Sequence, residues 1–330
     1  MPLDAQDIRP DDRLTILESV DPTFVPYGRF DTIVRLLKAP DIWAPIYIPG
    51  PTGVGKTSMV LQACAVADRP VLRYNVTSET DRDHLVGGFR LKNGETVFEL
   101  GPVARAMRMG AVLLLDEIDL GKPEKLLSLQ PVLERKPLFI AEIGERIVPE
   151  PGFMIIATAN TKGRGTDNGL YIGTNIQNEA FLERFAITIE HGYPETDDEV
   201  HILTLLGTKH DPDTLARLVK WANHSRRTFE QTQEGAVISP RRLCFIVRLH
   251  EALQGEMEET MELALARFDA QEREPLIELW RKLTPIKKTE KKANPKVNTN
   301  YDGMVVSYSQ VYKTITITDS AGSVVALQPF

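Results

Sequence analysis

Short apolar runs alternate with helical-period segments between residues 40 and 190. The runs at 45–48, 71–75, 111–115, 153–157 and 187–189 predict strands. Val112 to Leu115 and Met154 to Ile156 are apolar at every position, as expected of strands buried on both faces of a parallel sheet. Strands alternating with helices define an α/β class. Beyond Tyr193-Pro194 helical signals take over. Asp211-Pro212 reads as an N-cap followed by proline in the first helical position, with Leu215, Leu218, Val219 and Ala222 at helical spacing. Ser239-Pro240 repeats that start ahead of Leu243, Ile246 and Val247. The pattern therefore divides the chain into a core with an N-terminal segment (1–194) and a small helical domain (195–283). Residues 284–300 hold Lys287, Lys288, Lys291, Lys292 and Lys296 with two prolines, a linker composition. In the last stretch, 301–330, Tyr312, Thr314, Thr316 and Thr318 alternate with Val311, Lys313, Ile315 and Ile317. The chain then turns at Asp319-Ser320-Ala321-Gly322 into Val324-Val325, which predicts a β-hairpin tail and a candidate docking element.

Composition narrows the class without changing this picture. With 330 residues, 42% apolar and 26% charged, the chain has material for about two folded domains. A net charge of -7 argues against a surface built throughout for nucleic acid, and leaves the lysine-rich segment as the local exception. Cys64 and Cys244 are far apart, each in an apolar helical pattern without metal-ligand spacing, which suits buried thiols in a reducing compartment. Met1-Pro2-Leu3-Asp4 has no apolar core of a secretory signal, and no apolar run approaches the ~20 residues of a membrane span. A cytoplasmic protein is the expectation.

The chemistry concentrates in Gly50-Pro51-Thr52-Gly53-Val54-Gly55-Lys56-Thr57, followed by Ser58. Binding a triphosphate takes many inward N–H donors on a tight curve, which Gly50, Gly53 and Gly55 permit. Lys56 then supplies charge to the β- and γ-phosphates and Thr57 a hydroxyl to Mg²⁺, at the positive end of a helix. ATP and Mg²⁺ are the implied cofactors. The apolar run Ala111 to Leu115 ends in Asp116-Glu117, 60 residues after Lys56. The first carboxylate suits Mg²⁺ through water and the second suits a general base. Asn160 ends another strand at the edge where parallel sheets carry their sites; it is either a turn former or a residue that positions the lytic water. Arg184, in Phe181-Leu182-Glu183-Arg184-Phe185, is either a surface ion-pair partner or an arginine finger for a neighbouring subunit. Arg241 and Arg242 fall in the first turn of a predicted helix, where the macrodipole disfavours cations by ~0.3–1 kcal/mol each. A nearby anion offsets that cost, so Arg241 reads as a γ-phosphate sensor, with Arg242 as a solvated or alternative partner.

Taken in order, Gly50 to Thr57, Asp116-Glu117, Asn160, Arg184 and Ser239-Pro240-Arg241 resemble the Walker A, Walker B, sensor 1, arginine finger and sensor 2 elements of AAA+ ATPases. Within that superfamily the chain resembles the MoxR-type branch, and there the ATPase subunit of aerobic cobaltochelatase and its relatives, some encoded by phages. The likeness runs over roughly residues 20–255 and includes Asp83-His84-Leu85-Val86-Gly87, Ala157-Thr158-Ala159-Asn160-Thr161, and the stretch from Thr166 to Thr174. It implies a five-stranded αβα core, a helical lid, and ATP held between subunits of a ring, usually a hexamer. It also implies inserts at 89–98 and 138–148, which in such rings face the pore or the client, though ordinary surface hairpins fit the same residues. A frequent partner in this family carries a von Willebrand factor type A domain. With 6 His and no metal-ligand spacing, the chain offers no chelatase centre of its own. An ATP-driven motor or chaperone-like ATPase acting on a protein client is the leading expectation. A nucleic-acid-dependent ATPase, a helicase or loader, is the alternative, and a ring that hydrolyses little is a third.

Overall fold

The computed structural model describes residues 19–284 other than 40, 164 and 166–172, together with the backbone of four short strands outside that range. In chain order, β1 (Thr15–Ile16) and α1 (Phe30–Leu37) precede β2 (Ile46–Pro49), α2 (Lys56–Val66), β3 (Val71–Asn75) and the one-turn α3 (Arg82–Leu85). Then come β4 (Gly87–Lys92), β5 (Glu95–Leu100), α4 (Pro102–Met109) and β6 (Val112–Asp116). The short helices α5 (Pro123–Leu126) and α6 (Gln130–Leu133), the strands β7 (Leu138–Ile140), β8 (Glu145–Ile147) and β9 (Met154–Ala159), α7 (Glu179–Leu182) and β10 (Ile187–Thr188) complete the α/β part.

The main sheet has the order β1-β3-β6-β9-β2-β10. Five strands are parallel, as the apolar runs predict; β1 adds a two-residue antiparallel edge on β3. β2, β6 and β9 are buried at every position because helices cover both faces. Alternation sends Val112, Leu114 and Ile156 toward α1 and α2, where Ile33, Leu37, Met59 and Val60 meet them. Leu113, Leu115 and Ile155 go to the other face, against Met107, Leu129 and Phe181. Full burial of each such side chain stabilises the fold by roughly 1.5–3 kcal/mol. All five parallel strands run toward the same edge, where Lys56, Thr57, Asp116 and Asn160 meet.

Both expected inserts are antiparallel hairpins. β4 pairs with β5 about Asn93-Gly94, and β7 pairs with β8 across the turn containing Gly144. Phe89, Leu91 and Val97 are exposed in the first and Phe139 in the second. Before the first hairpin, Asp81 caps α3 by accepting the His84 N–H.

The helical part consists of α8 (Thr196–Thr204), α9 (Pro212–Thr232), α10 (Pro240–Leu253), α11 (Met257–Leu265) and α12 (Ala270–Leu283). Asp211 and Ser239 are the N-caps, accepting N–H bonds from Thr214 and Arg242 at 2.9 and 3.2 Å, each with proline at the first helical position. Leu215, Leu218, Val219, Ala222, Leu243, Ile246 and Val247 are all buried, as their spacing requires. Trp221 is fully buried and donates its indole N–H to the Leu276 carbonyl at 2.7 Å, fixing α9 to α12.

Contacts divide the chain into one compact unit over Met1–Trp280 and a second over Arg281–Phe330. The second unit contains β11 (Val305–Ser309), β12 (Thr314–Thr318) and β13 (Val324–Pro329), joined antiparallel in that order. The expected hairpin is thus the β12–β13 half of a three-stranded sheet. Nearly all of the lysine-rich segment, 285–300, lies outside the described residues, as does 166–172 of the stretch that resembles the cobaltochelatase subunit.

Candidate functional site

β2 delivers the chain to Gly50, whose N–H is bound by the Ala159 carbonyl at 3.1 Å, so the loop is tied to the end of β9. The loop then winds through positive φ at Gly53 and Gly55, 78° and 86°, and enters α2 at Lys56. Gly55 is the N-cap and makes no side-chain cap, which leaves the first-turn N–H groups of α2 facing the curve of the loop. This matches the cradle a phosphate chain requires. In the loop Pro51 is half-buried, Thr52 exposed and Val54 buried, and Ser58, the third residue of α2, is exposed.

Lys56 is 8% exposed. Its Nζ donates to the carbonyls of Gly50 and Pro51 at 2.8 and 2.9 Å and to Asn160 Oδ1 at 3.2 Å. All three acceptors are neutral. Burial pushes the ammonium down to about 8, against the pull of Asp119, Asp116 and Glu117, and the Arg241 charge adds to the fall. A buried cation held only by neutral oxygens fits an anionic ligand, which would supply the missing counter-charge.

Thr57 Oγ1 lies 2.9 and 3.0 Å from the two oxygens of Asp116, which ends β6. A hydroxyl and a carboxylate in contact at the loop's end are hard oxygen donors of the kind Mg²⁺ takes. Thr158, fully buried on β9, donates to Asp116 Oδ1 and accepts the Glu117 N–H at 3.1 Å, so one hydroxyl sets both acids. Glu117 itself has φ 57° and ψ 44°, the left-handed region, at a cost of about 1–3 kcal/mol for a side-chain-bearing residue.

Asp119, two residues on, is fully buried. Its Oδ2 accepts from the Asn160 and Thr161 N–H groups at 2.9 and 3.0 Å and from Thr161 Oγ1 at 3.1 Å, while Oδ1 has no partner. Burial raises its pKa against those hydrogen bonds. Asn160 is therefore held from behind by Asp119 while its side chain reaches Lys56. The contact puts the Asn160 side chain beside the phosphate-binding loop.

Arg241 meets the loop from the helical part: its N–H is bound by the Gly53 carbonyl at 3.2 Å, and its side chain is exposed. Arg242 points elsewhere, donating to the Ala264 carbonyl at 2.9 Å. Arg184 is not among the converging residues. It donates Nε to Glu134 Oε1 at 2.7 Å and Nη1 to the Ala180 carbonyl, on the edge built by α6 and α7.

Several site residues escaped the sequence reading. Arg73, Thr158 and Asp119 surround the predicted acids, and His191 and Tyr27 both bond the Val54 carbonyl, the imidazole at 3.2 Å. The available signals were faint: a polar residue inside an apolar strand for Thr158 and Arg73, and a third acid in Asp116-Glu117-Ile118-Asp119. Between His191, Asn160 and Lys162 a cavity of about 250 Å³ opens against Gly50 and Pro51.

A central parallel strand, a glycine-turned loop, a buried lysine at a helix start and an acidic strand end in contact with the next threonine define a P-loop nucleoside-triphosphatase fold. Residues 45–185 match the family model described as the AAA domain of the dynein-related subfamily. The chain is 33% identical to the aerobic cobaltochelatase subunit CobS of Sinorhizobium sp over 59% of its own length and 62% of that protein's. It is 32% identical to protein NorQ of Paracoccus denitrificans over 55% and 64%, and 32% identical to an uncharacterised Staphylococcus aureus protein over 58% and 72%. The chain thus spans a little under two thirds of the length of the first two relatives. It belongs to the AAA ATPases, in the MoxR-type branch, and resembles the cobaltochelatase subunit. Among the described residues no helix is long and apolar enough to cross a membrane.

Proposed function

We propose that the chain is an ATP-hydrolysing AAA+ motor or chaperone-like ATPase that works as an oligomeric ring, which we take to be a hexamer, on a protein partner. The observation that carries this reading is the meeting of Lys56 with Asn160 at 3.2 Å and of Thr57 with Asp116 at 2.9 Å, on one edge of the sheet. When bound, Mg²⁺ and ATP supply a transferable phosphoryl group and the positive charge that neutralises it. Gly50 to Thr57 cradle the phosphates through backbone N–H groups, with Lys56 on the terminal ones. Thr57 and Asp116 are the residues that would hold the metal. Glu117 takes the proton of the attacking water, which Asn160 orients from the other side.

Arg241 senses the γ-phosphate within its own subunit, and Arg184 reaches that of the next. Glu134, the present partner of Arg184, is exposed to solvent, so the pair is weak enough to exchange for a phosphate. The hairpins β4–β5 and β7–β8, with their exposed Phe89, Leu91 and Phe139, are the client-facing parts in this reading. Similarity to the cobaltochelatase subunit favours a partner carrying a von Willebrand factor type A domain. Dependence on ATP and two free cysteines suit the cytoplasm.

ATP turnover against protein concentration tests the proposal, with Glu117→Gln and Arg184→Ala alongside and particle mass recorded with and without ATP. Turnover per chain is expected to rise with concentration and to drop about a thousandfold or more in either variant. Glu117→Gln should still form rings with ATP. Turnover that is independent of concentration, together with a silent Arg184→Ala, overturns the interface mechanism.

A further inference from the structure

The Asp116 carboxylate has a partner that the P-loop mechanism does not use. Arg73, on β3, donates Nε and Nη2 to Asp116 Oδ2 at 3.0 and 2.6 Å. In the strand register Arg73 lies opposite Leu114 and Asn75 lies opposite Asp116, so the guanidinium reaches forward along the sheet to the strand end. Val71, two residues back on the same face, packs in the apolar layer with Val112, Leu114 and α2. Arg73 is the charged position on that face, and its charge is spent on the acid that faces Thr57.

We infer that Arg73 is a positioning residue that neutralises Asp116 and competes with Mg²⁺ for its Oδ2 oxygen, and so sets the Mg²⁺ concentration at which nucleotide binding becomes metal-dependent. This rests on the reading of Thr57 and Asp116 as the metal pair. Three observations carry it. First, a carboxylate has about four acceptor sites, and here Thr158, Thr57 and two N–H groups of Arg73 crowd them. Second, two cations on one oxygen repel, so metal and guanidinium cannot both have Oδ2 at full strength. Third, the two partners differ in freedom: the Arg73 side chain is 48% exposed and that of Asp116 4%. The arginine can swing into water while the aspartate stays in place.

The test is the affinity of a fluorescent ATP analogue as a function of Mg²⁺, including an EDTA arm, on full-length chains carrying Glu117→Gln to prevent hydrolysis. Arg73→Gln keeps the length and removes the charge. Its half-saturating Mg²⁺ is expected to fall about tenfold, while its affinity for nucleotide in EDTA stays the same or weakens. Arg73→Lys keeps a charge but loses the two-pronged contact, so it should shift the same way by less. Circular dichroism confirms folding of both, and if Arg73→Gln does not fold, Arg73→Lys decides. An unchanged or higher half-saturating Mg²⁺ in a folded variant overturns the proposal alone. Failure of the Arg73-intact chain to bind nucleotide at any Mg²⁺ level overturns the ATP reading, and this proposal with it.

Discussion

His191 is 2% exposed, lies with its ring centroid 4.6 Å from that of Tyr27, and donates to the Val54 carbonyl inside the phosphate-binding loop. Burial pushes its pKa down to about 4; the hydrogen bond to Val54 opposes this and the Lys56 charge adds to it. The folded chain therefore keeps the imidazole neutral, whereas the unfolded chain protonates it near 6.5. Between those values the unfolded state binds more protons, so stability is fully present above about pH 6.5 and is lost as pH falls toward 4, by about 3 kcal/mol in all. Urea unfolding at pH 7 and 4.5 should show this loss in the wild type and a smaller one in His191→Phe, which keeps the ring but cannot titrate. Equal losses in the two proteins would remove His191 as the cause. Nothing in the sequence marks this histidine, because its neighbours come from 137 residues away and a lone His carries no period. Lys56, Thr57, Asp116 and Glu117 were legible for the opposite reason: phosphate and metal chemistry demands those residue types at fixed local spacing. Arg73, Thr158 and Asp119 fall between, since each acts on a predicted residue through a contact between strand ends that only the folded sheet creates.

At the scale of elements, the central strands β2, β6 and β9 could be read because double-sided burial writes itself as apolar runs, and the helices of 195–283 because Asp211-Pro212 and Ser239-Pro240 announce their starts. β1 could not, being two residues long and so shorter than any pattern, and β11 lacked the alternating threonines that made β12 visible. Composition also gave no hint that the loop before α2 presses on the start of α10. Gly53 combines φ 78° with a Cβ position only 2.7 Å from Ser239 Oγ, and its carbonyl holds the Arg241 N–H. Gly53→Ala should therefore cost about 1–3 kcal/mol from backbone strain and collision, and weaken nucleotide binding by tenfold or more. Ser239→Ala removes the nearer of two colliding atoms, leaving Ser239 Cβ at 2.9 Å, but also an N-cap, worth about 1 kcal/mol alone. If loop and helix meet as described, the double variant loses less stability than the two single losses together. Strict additivity in thermal unfolding would mean that the two elements do not share the contact.

Over the whole first unit, one guanidinium joins segments far apart in sequence. Arg226, on α9, is 3% exposed and makes a two-pronged pair with fully buried Glu199 of α8, both bonds 2.7 Å. Its Nε donates to the Ile238 carbonyl at 2.7 Å, one residue before the α10 cap, and its Cζ lies 4.4 Å from the ring centroid of Tyr193, where the chain leaves the sheet. Ile238 leads through Ser239 to Arg241 and so to Gly53, which makes the pair a fastening between the helical part and the phosphate-binding loop. Desolvating two charges is expensive, so the pair contributes little net stability compared with an apolar replacement of similar volume; its value lies in geometry. Removing one partner is another matter. Arg226→Met leaves Glu199 charged or forcibly protonated in an apolar interior, and should lower the unfolding free energy by about 3–5 kcal/mol. Arg226→Met with Glu199→Leu should recover most of that loss. The Ile238 carbonyl lacks its partner in both, with only the Ile238 N–H still tied to Ser225 Oγ at 3.2 Å, so nucleotide affinity should remain reduced in the double variant even though its stability returns. Urea unfolding and a nucleotide titration on the same three proteins separate these effects. Affinity that returns together with stability would make the pair a matter of folding only, and a single variant that costs under about 1 kcal/mol would show that it fastens nothing.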